Sequence, residues 1–204
     1  MKNFGKLALL GAALAFTASS AFAIPVPVNA GTVYTSPVET FATAPGVNPT
    51  FDATVQETVF KDSANPFGAN DLTFEIVVKD VSGDSLEQIT LGGFTGFLTD
   101  AGAIAGVGDA PGAVTLNGSN GYDWDFSVKD GYTPVANGVS TEVLFVQTNA
   151  QNYAPGTIGA IDNTGQSANG EVAAPGAPEP NSLILLGTGL LGAAGMMFRR
   201  RLTA

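Results

Sequence analysis

Two segments in the middle of the chain alternate between apolar and polar residues, the pattern of a half-buried β-strand. In the segment 72–79 the side chains predicted to face inward are Leu72, Phe74, Ile76 and Val78. In the segment 122–129 they are Tyr122, Trp124, Phe126 and Val128. A third segment, 139–148, is apolar on both faces from Val143 to Val146, which predicts a central strand that is covered on two sides.

Further short β-rich runs are separated by Gly, Asn, Asp and Pro, and no helical period is evident between them. After a turn predicted at 80–84, these runs include 89–91, and the weaker ones are 32–35, 38–43, 51–60, 113–116 and 157–161. About eight short strands at this spacing predict an all-β fold, an antiparallel β-sandwich ectodomain over residues 24–165. The small, polar and proline-containing composition that follows predicts a flexible spacer at 166–177.

The N-terminal residues 1–23 have the composition of a signal peptide. Lys2 and Lys6 precede an apolar run at 7–16, and Ala21 and Ala23 are the small residues that a signal peptidase requires. An uncleaved anchor is the alternative, but the run is far shorter than the about 20 residues of a membrane span. We therefore expect cleavage after Ala23.

The C-terminal region contains a second apolar segment, 182–198, without a charged residue. As a transmembrane helix it would reach roughly 25 Å, slightly less than a hydrocarbon core of about 30 Å. Arg199, Arg200 and Arg201 follow it and should remain cytoplasmic under the positive-inside rule. This topology places the ectodomain across the inner membrane, in agreement with the signal peptide.

The part of the chain between the two end segments, 24–177, is strongly acidic, because it carries three lysines and 17 of the 18 Asp and Glu residues, a net charge of −14. Such a surface repels phosphate backbones, so nucleic-acid binding is not expected. The sequence contains neither Cys nor His. Thiol nucleophiles, Ser-His-Asp triads and zinc sites with His or Cys ligands are therefore excluded.

Pro178, Glu179 and Pro180, then Asn181 and Ser182, the apolar segment and the arginine triad resemble the PEP-CTERM sorting signal of Gram-negative bacteria. The resemblance covers 178–204 and implies cleavage near the Pro-Glu-Pro motif by a membrane protease of the exosortase type. It also implies a transient membrane anchor, export to the cell surface or beyond, and an association with exopolysaccharide and biofilm. The segments 93–97 and 146–150 are more loosely similar to parts of ectodomains that carry this signal.

Two aspartates, Asp123 and Asp125, are predicted to share one strand face, where they would reach one cation or one glycosidic bond. Asn117, Asn120 and Asp130 are nearby sources of oxygen ligands, although no stretch has the spacing of a calcium loop. Solvated surface carboxylates explain the same residues without a ligand. Tyr132 and Tyr153 are predicted to be exposed and able to stack on sugar rings, whereas Tyr122 and Trp124 are predicted to be core residues.

These observations predict an exported envelope or extracellular-matrix protein of structural or adhesive type. Its expected partners are signal peptidase, an exosortase-like protease and extracellular polysaccharide. No catalytic residue and no cofactor or bound metal is expected. The alternatives are a module of the exopolysaccharide matrix that binds carbohydrate or Ca²⁺ and, less favoured, a hydrolase that uses carboxylates.

Overall fold

A computed structural model of the chain describes residues 26–44, 50–118 and 121–176. Within these ranges it contains eleven β-strands and one 3-10 helix, Val128–Asp130, and every pairing between strands is antiparallel. The all-β prediction is confirmed. None of the helices described there is long and apolar enough to cross a membrane.

The eleven described strands form two sheets, one of six strands and one of five. The first sheet has the order β1-β3-β4-β9-β6, with β2 also paired to β3. Its strands are β1 (Asn29–Thr35), β2 (Glu39–Ala42), β3 (Phe51–Asp62), β4 (Leu72–Gly83), β6 (Thr99–Ile104) and β9 (Val143–Thr148). The second sheet has the order β11-β10-β5-β8-β7. Its strands are β5 (Leu86–Gly92), β7 (Ala113–Asn117), β8 (Gly121–Asp125), β10 (Asn152–Asp162) and β11 (Ser167–Gly176).

One hydrophobic core lies between the two sheets. It is formed by the inward residues of both, including Val55, Phe74 and Ile76 from the first sheet and Ile89 and Trp124 from the second. The predicted inward face of β4 is confirmed, since all four apolar residues are buried, and so are the core positions of Tyr122 and Trp124. Burial of the inner faces of two antiparallel sheets is the sandwich arrangement that the alternation predicted.

Hydrogen bonds between the sheets close both sides of the sandwich. On one side Trp124 Nε1 donates to the Gly102 carbonyl (3.0 Å) and the Tyr122 hydroxyl donates to Thr99 Oγ1 (2.8 Å). On the other side the Ala173 N–H of β11 donates to Glu57 Oε2 of β3 (2.6 Å). These bonds give the buried aromatic hydroxyl, the indole N–H and the strand-edge amide the partners that burial requires.

The prediction for Val128 is wrong, because β8 ends at Asp125 and Val128 lies in the 3-10 helix with 62% of its surface exposed. Asp125 Oδ1 accepts a hydrogen bond from the Ser127 N–H (2.8 Å), a local turn that competes with strand pairing. The chain then curls until Gly131, whose φ of 87° only glycine adopts readily.

The predicted flexible spacer at 166–177 is also wrong over the ten residues of β11, so the sandwich extends beyond 165 to Gly176. The strand is difficult to recognise because its buried side chains are small: Ala168, Val172, Ala173 and Ala174. They fit against glycines of neighbouring strands. A Cβ on Gly156 of β10 would lie 2.5 Å from the Ala174 Cβ, so this close approach requires glycine.

Candidate functional site

The first candidate site is a cleft of about 480 Å³ that opens between β1–β2 and β10–β11; we call it the tyrosine cleft. Its polar side chains come from Tyr34, Ser36, Glu39, Thr40, Tyr153 and Glu171. The rings of Tyr34 and Tyr153 stack with centroids 5.2 Å apart and planes at 26°. Tyr153 is 42% exposed, which confirms its predicted surface position. A tyrosine pair flanked by carboxylates and hydroxyls offers a ring face and hydrogen bonds to one ligand.

A buried carboxyl group, Glu57, lies behind the wall of the tyrosine cleft. Its own N–H donates to Ser36 Oγ (2.9 Å) and its Oε2 accepts from the Ala173 N–H, and both Ser36 and Ala173 line the cleft. The second oxygen, Oε1, receives no hydrogen bond from any residue of the described ranges. Burial raises the pKa of Glu57 to about 7, and the Ala173 hydrogen bond only partly opposes this.

The position of Glu57 was missed from the sequence, although a signal for it exists. Along β3 the residues Phe51, Ala53, Val55 and Val59 alternate on the inward face, and Glu57 falls in the same phase. An acid in phase with a buried apolar face is unusual, since Asp and Glu are rarely fully buried. The phase of Glu57 in the alternation therefore predicts that its carboxyl group lies in the core.

Asp80 is a second buried acid, in phase with the inward residues of β4 and near the end of that strand. Burial raises the pKa of Asp80 to about 6, and the Asp84 and Asp52 carboxylates add to the effect. The nearby Ser82 N–H partly opposes this rise in the pKa. Its geometry is not that of a hydrogen bond, and neither oxygen of Asp80 accepts one from the described residues. Burial thus raises the pKa of two carboxyl groups of the fold toward neutral pH.

The second candidate site is a cleft of about 370 Å³ on the outer face of the second sheet; we call it the acidic cleft. It brings together the predicted pair Asp123 and Asp125 with Glu87, Asp130 and Asp162. Asp123 Oδ1 accepts from the Asn117 side-chain amide (3.2 Å). Asn120, the other predicted amide ligand, is outside the described residues.

The carboxylates of the acidic cleft are largely engaged inside the fold. Asp125 Oδ1 is held by the Ser127 N–H, and Asp130 Oδ2 accepts from the Ser127 hydroxyl (2.9 Å). Asp162 Oδ1 accepts from the N–H and hydroxyl of Thr164 and from the Gln166 N–H, which shapes the β10–β11 turn. No three acidic side chains in the described part of the chain are arranged to hold a metal ion.

Tyr132, the other tyrosine predicted to stack on sugars, lies in neither cleft. Its ring covers Gly112, where a Cβ would overlap it, and the side chain is half-buried. This contact explains the residue by packing alone.

The residues predicted to direct export lie outside the described ranges: Ala21 and Ala23, Pro178, Glu179 and Pro180, the segment 182–198, and Arg199, Arg200 and Arg201. Comparison with known proteins tests the C-terminal part. Residues 177–201 match the family model of the PEP-CTERM protein-sorting motif. Comparisons with curated proteins and with solved structures found no match.

The matched segment begins directly after Gly176, the last residue of β11, so the whole sandwich precedes the motif. This motif is recognised by an exosortase, as the resemblance implied. The chain therefore carries a PEP-CTERM protein-sorting motif and is an exported protein that an exosortase processes, destined for the cell surface or the extracellular space.

Proposed function

We propose that the sandwich acts as a structural or adhesive component of the cell envelope or extracellular matrix. In this proposal the segment 182–198 holds it transiently in the inner membrane until cleavage near Pro178–Pro180. Signal peptidase removes residues 1–23 first, and the released acidic domain then meets the polysaccharide outside the cell.

The observation that supports a non-catalytic role is the use made of the candidate carboxylates. Asp123, Asp125 and Asp162 each accept hydrogen bonds that shape a strand or turn of the fold. A hydrolase of this type would instead need two carboxyl groups free to meet the scissile bond, one with a raised pKa. The raised pKa values of Glu57 and Asp80 belong to groups buried inside the sandwich.

A processing and attachment experiment in the host tests this proposal. We expect the wild-type protein in the extracellular fraction without Met1 and Arg201, and we expect deletion of the gene to reduce attachment of cells or cohesion of the matrix. Glu179→Gln should leave the longer form associated with cells. Glu171→Gln is the matched control, since it removes an acid at an exposed position of β11 upstream of the motif. Recovery of the protein from the cytoplasm with Met1 and Arg201 retained would contradict the proposal.

Carbohydrate binding at the tyrosine cleft is a second candidate function, and the stacked pair Tyr34 and Tyr153 favours it. Isothermal titration with the polysaccharide of the host is the test. Saturable binding by the wild type that Tyr153→Ala abolishes would support it, while Tyr132→Ala should have no effect.

The same titration with Ca²⁺ examines the acidic cleft, where Asp123→Asn and Asp125→Asn should weaken any saturable binding. A purely structural role predicts no saturable heat in either titration.

A further inference from the structure

The last described strand, β11, reaches Gly176, directly before the sorting motif. Gly176 is buried and paired with Asn152 of β10, and only Ala177 separates it from Pro178. Because an extended chain spans at most about 3.6 Å per residue, Glu179 is within roughly 11 Å of Gly176. A protease that closes on Pro178–Pro180 while β11 remains paired must therefore approach the end of the sandwich where β11 stops.

The strand registers place at that end, which we call the exit end, residues 26–28, the loops 63–71, 93–98 and 149–151, residues 117–118 of the β7–β8 turn, and Gly176. Its loops are tied to one another. The Leu98 N–H donates to Asn149 Oδ1 (2.9 Å), and the Asn149 N–H donates to the Leu98 carbonyl (3.1 Å). Gly93 begins the 93–98 loop against Ala174 of β11, where an added Cβ would lie 2.7 Å from the Ala174 Cβ. The exit end is therefore a built surface adjacent to the departing chain.

The two ends of the sandwich differ in chemistry. At the exit end the described loops contain one charged residue, Asp71, which is nearly buried and accepts from the Gln151 side chain (3.4 Å). Leu98 projects there with 62% of its surface exposed, and Val26 and Val28 are also exposed. The opposite end contains the acids Asp80, Asp84, Asp109, Asp130 and Glu142. The described loops of the exit end thus carry fewer charged residues than those of the opposite end, while Lys61, Asp62 and Asp100 lie at the adjacent strand ends.

We propose that the exit end is a docking surface for the exosortase itself, which contacts it through an uncharged, apolar surface next to its motif-binding site. The short connection from Gly176 to Pro178 keeps the motif within reach of the exit end. Leu98, whose backbone is hydrogen-bonded to Asn149 in the loop that leads into β10, is the exposed apolar side chain of this surface that the experiment tests. Leu98, Val26 and Val28 give this surface exposed apolar side chains for the enzyme to contact. The docking adds recognition beyond the motif and concerns processing alone, so it is independent of the role of the domain after release.

The test measures the rate of cleavage of the full chain in its host by pulse labelling and immunoblotting. Leu98→Glu should slow cleavage about tenfold, which corresponds to about 1.4 kcal/mol. The matched control is Val107→Glu, the same change at a side chain that is 98% exposed in the 105–112 loop at the opposite end. It should change the rate less than twofold. Equal rates for Leu98→Glu and the wild type would overturn the proposal.

A Gly/Ser insertion of 12 residues between Gly176 and Ala177 separates docking from defects in folding or export. The insertion weakens the coupling between domain and motif, so we expect slower cleavage and no further effect of Leu98→Glu in the inserted chain. Faster cleavage after insertion would show that the sandwich obstructs the enzyme, and a persistent effect of Leu98→Glu would indicate a general defect. Either result refutes docking.

Two other occupants of the exit end are distinguished with the cleaved protein. If wild-type protein co-sediments with vesicles of phosphatidylethanolamine and phosphatidylglycerol and Leu98→Glu does not, the surface binds lipid. If sedimentation velocity shows a dimer that Leu98→Glu dissociates, it binds a second copy of the chain. Each of these results would overturn the assignment to the exosortase.

Discussion

Glu57→Gln is the substitution with the clearest expected effect on stability. The Glu57 carboxyl group is fully buried between the sheets, and its pKa rises from 4.5 to about 7 because burial disfavours the charged form. Below pH 4.5 the group is protonated in both the folded and the unfolded chain. Between pH 4.5 and 7 the folded state binds the proton more tightly, so the free energy of unfolding decreases as the pH rises. At about 1.4 kcal/mol per pH unit, the total loss is about 3 kcal/mol.

The glutamine variant lacks this titration while its Oε1 can still accept from the Ala173 N–H. We therefore expect the stability of Glu57→Gln, relative to the wild type, to be about 3 kcal/mol higher at pH 8 than at pH 4. Asp80 and Glu75, whose pKa values burial also raises, contribute to the pH dependence of both proteins and cancel in the comparison. Urea unfolding followed by tryptophan fluorescence at the two pH values gives the difference, since Trp124 is buried in the core.

Glu171→Gln is the matched control, because it makes the same change at an exposed position that lines the same cleft. It should alter the free energy of unfolding by less than about 0.5 kcal/mol at either pH. If the stability difference between Glu57→Gln and the wild type were the same at pH 4 and pH 8, the inference of a neutral buried carboxyl group would be wrong.

Three further substitutions test the fold, each by urea unfolding of the purified protein followed by circular dichroism, because Trp124→Ala removes the sole tryptophan. Trp124→Ala should lose about 3–5 kcal/mol because it removes the largest fully buried side chain; a loss below 1 kcal/mol would argue against its core position. Gly156→Ala should cost about 1–3 kcal/mol through the clash with Ala174, whereas Gly31→Ala, with open space around its Cβ position, should be neutral or slightly stabilising. Asp62→Ala should cost about 3 kcal/mol or more, since Asp62 accepts a local hydrogen bond from Ala64 and one each from Val28, Thr73 and Gln147 in three other segments. An unchanged midpoint in urea would contradict that role.

Much of the strand content could be predicted because alternation is a local property, and the side chains of Leu72, Phe74, Ile76 and Val78 are buried as their spacing requires. Two strands escaped prediction for a physical reason. β6 contains two alanines and a glycine, and β11 buries mainly alanines, so neither shows apolar bulk in a period of two. The burial of β11 depends on glycines elsewhere, such as Gly156 beneath Ala174. Information of that kind is absent from the strand itself.

The sequence by itself determined the destination of this protein, because a sorting motif is a contiguous segment that an enzyme recognises in order along the chain. It also determined the inward residues of β4, and those of β8 as far as the strand extends. Only the tertiary structure decided which distant residues meet: Tyr34 with Tyr153, Glu57 with Ala173, and Asp123 with Asp162. Each of these meetings depends on strand order and on the packing of two sheets, which arise from burial of apolar surface over the whole domain and not from local spacing.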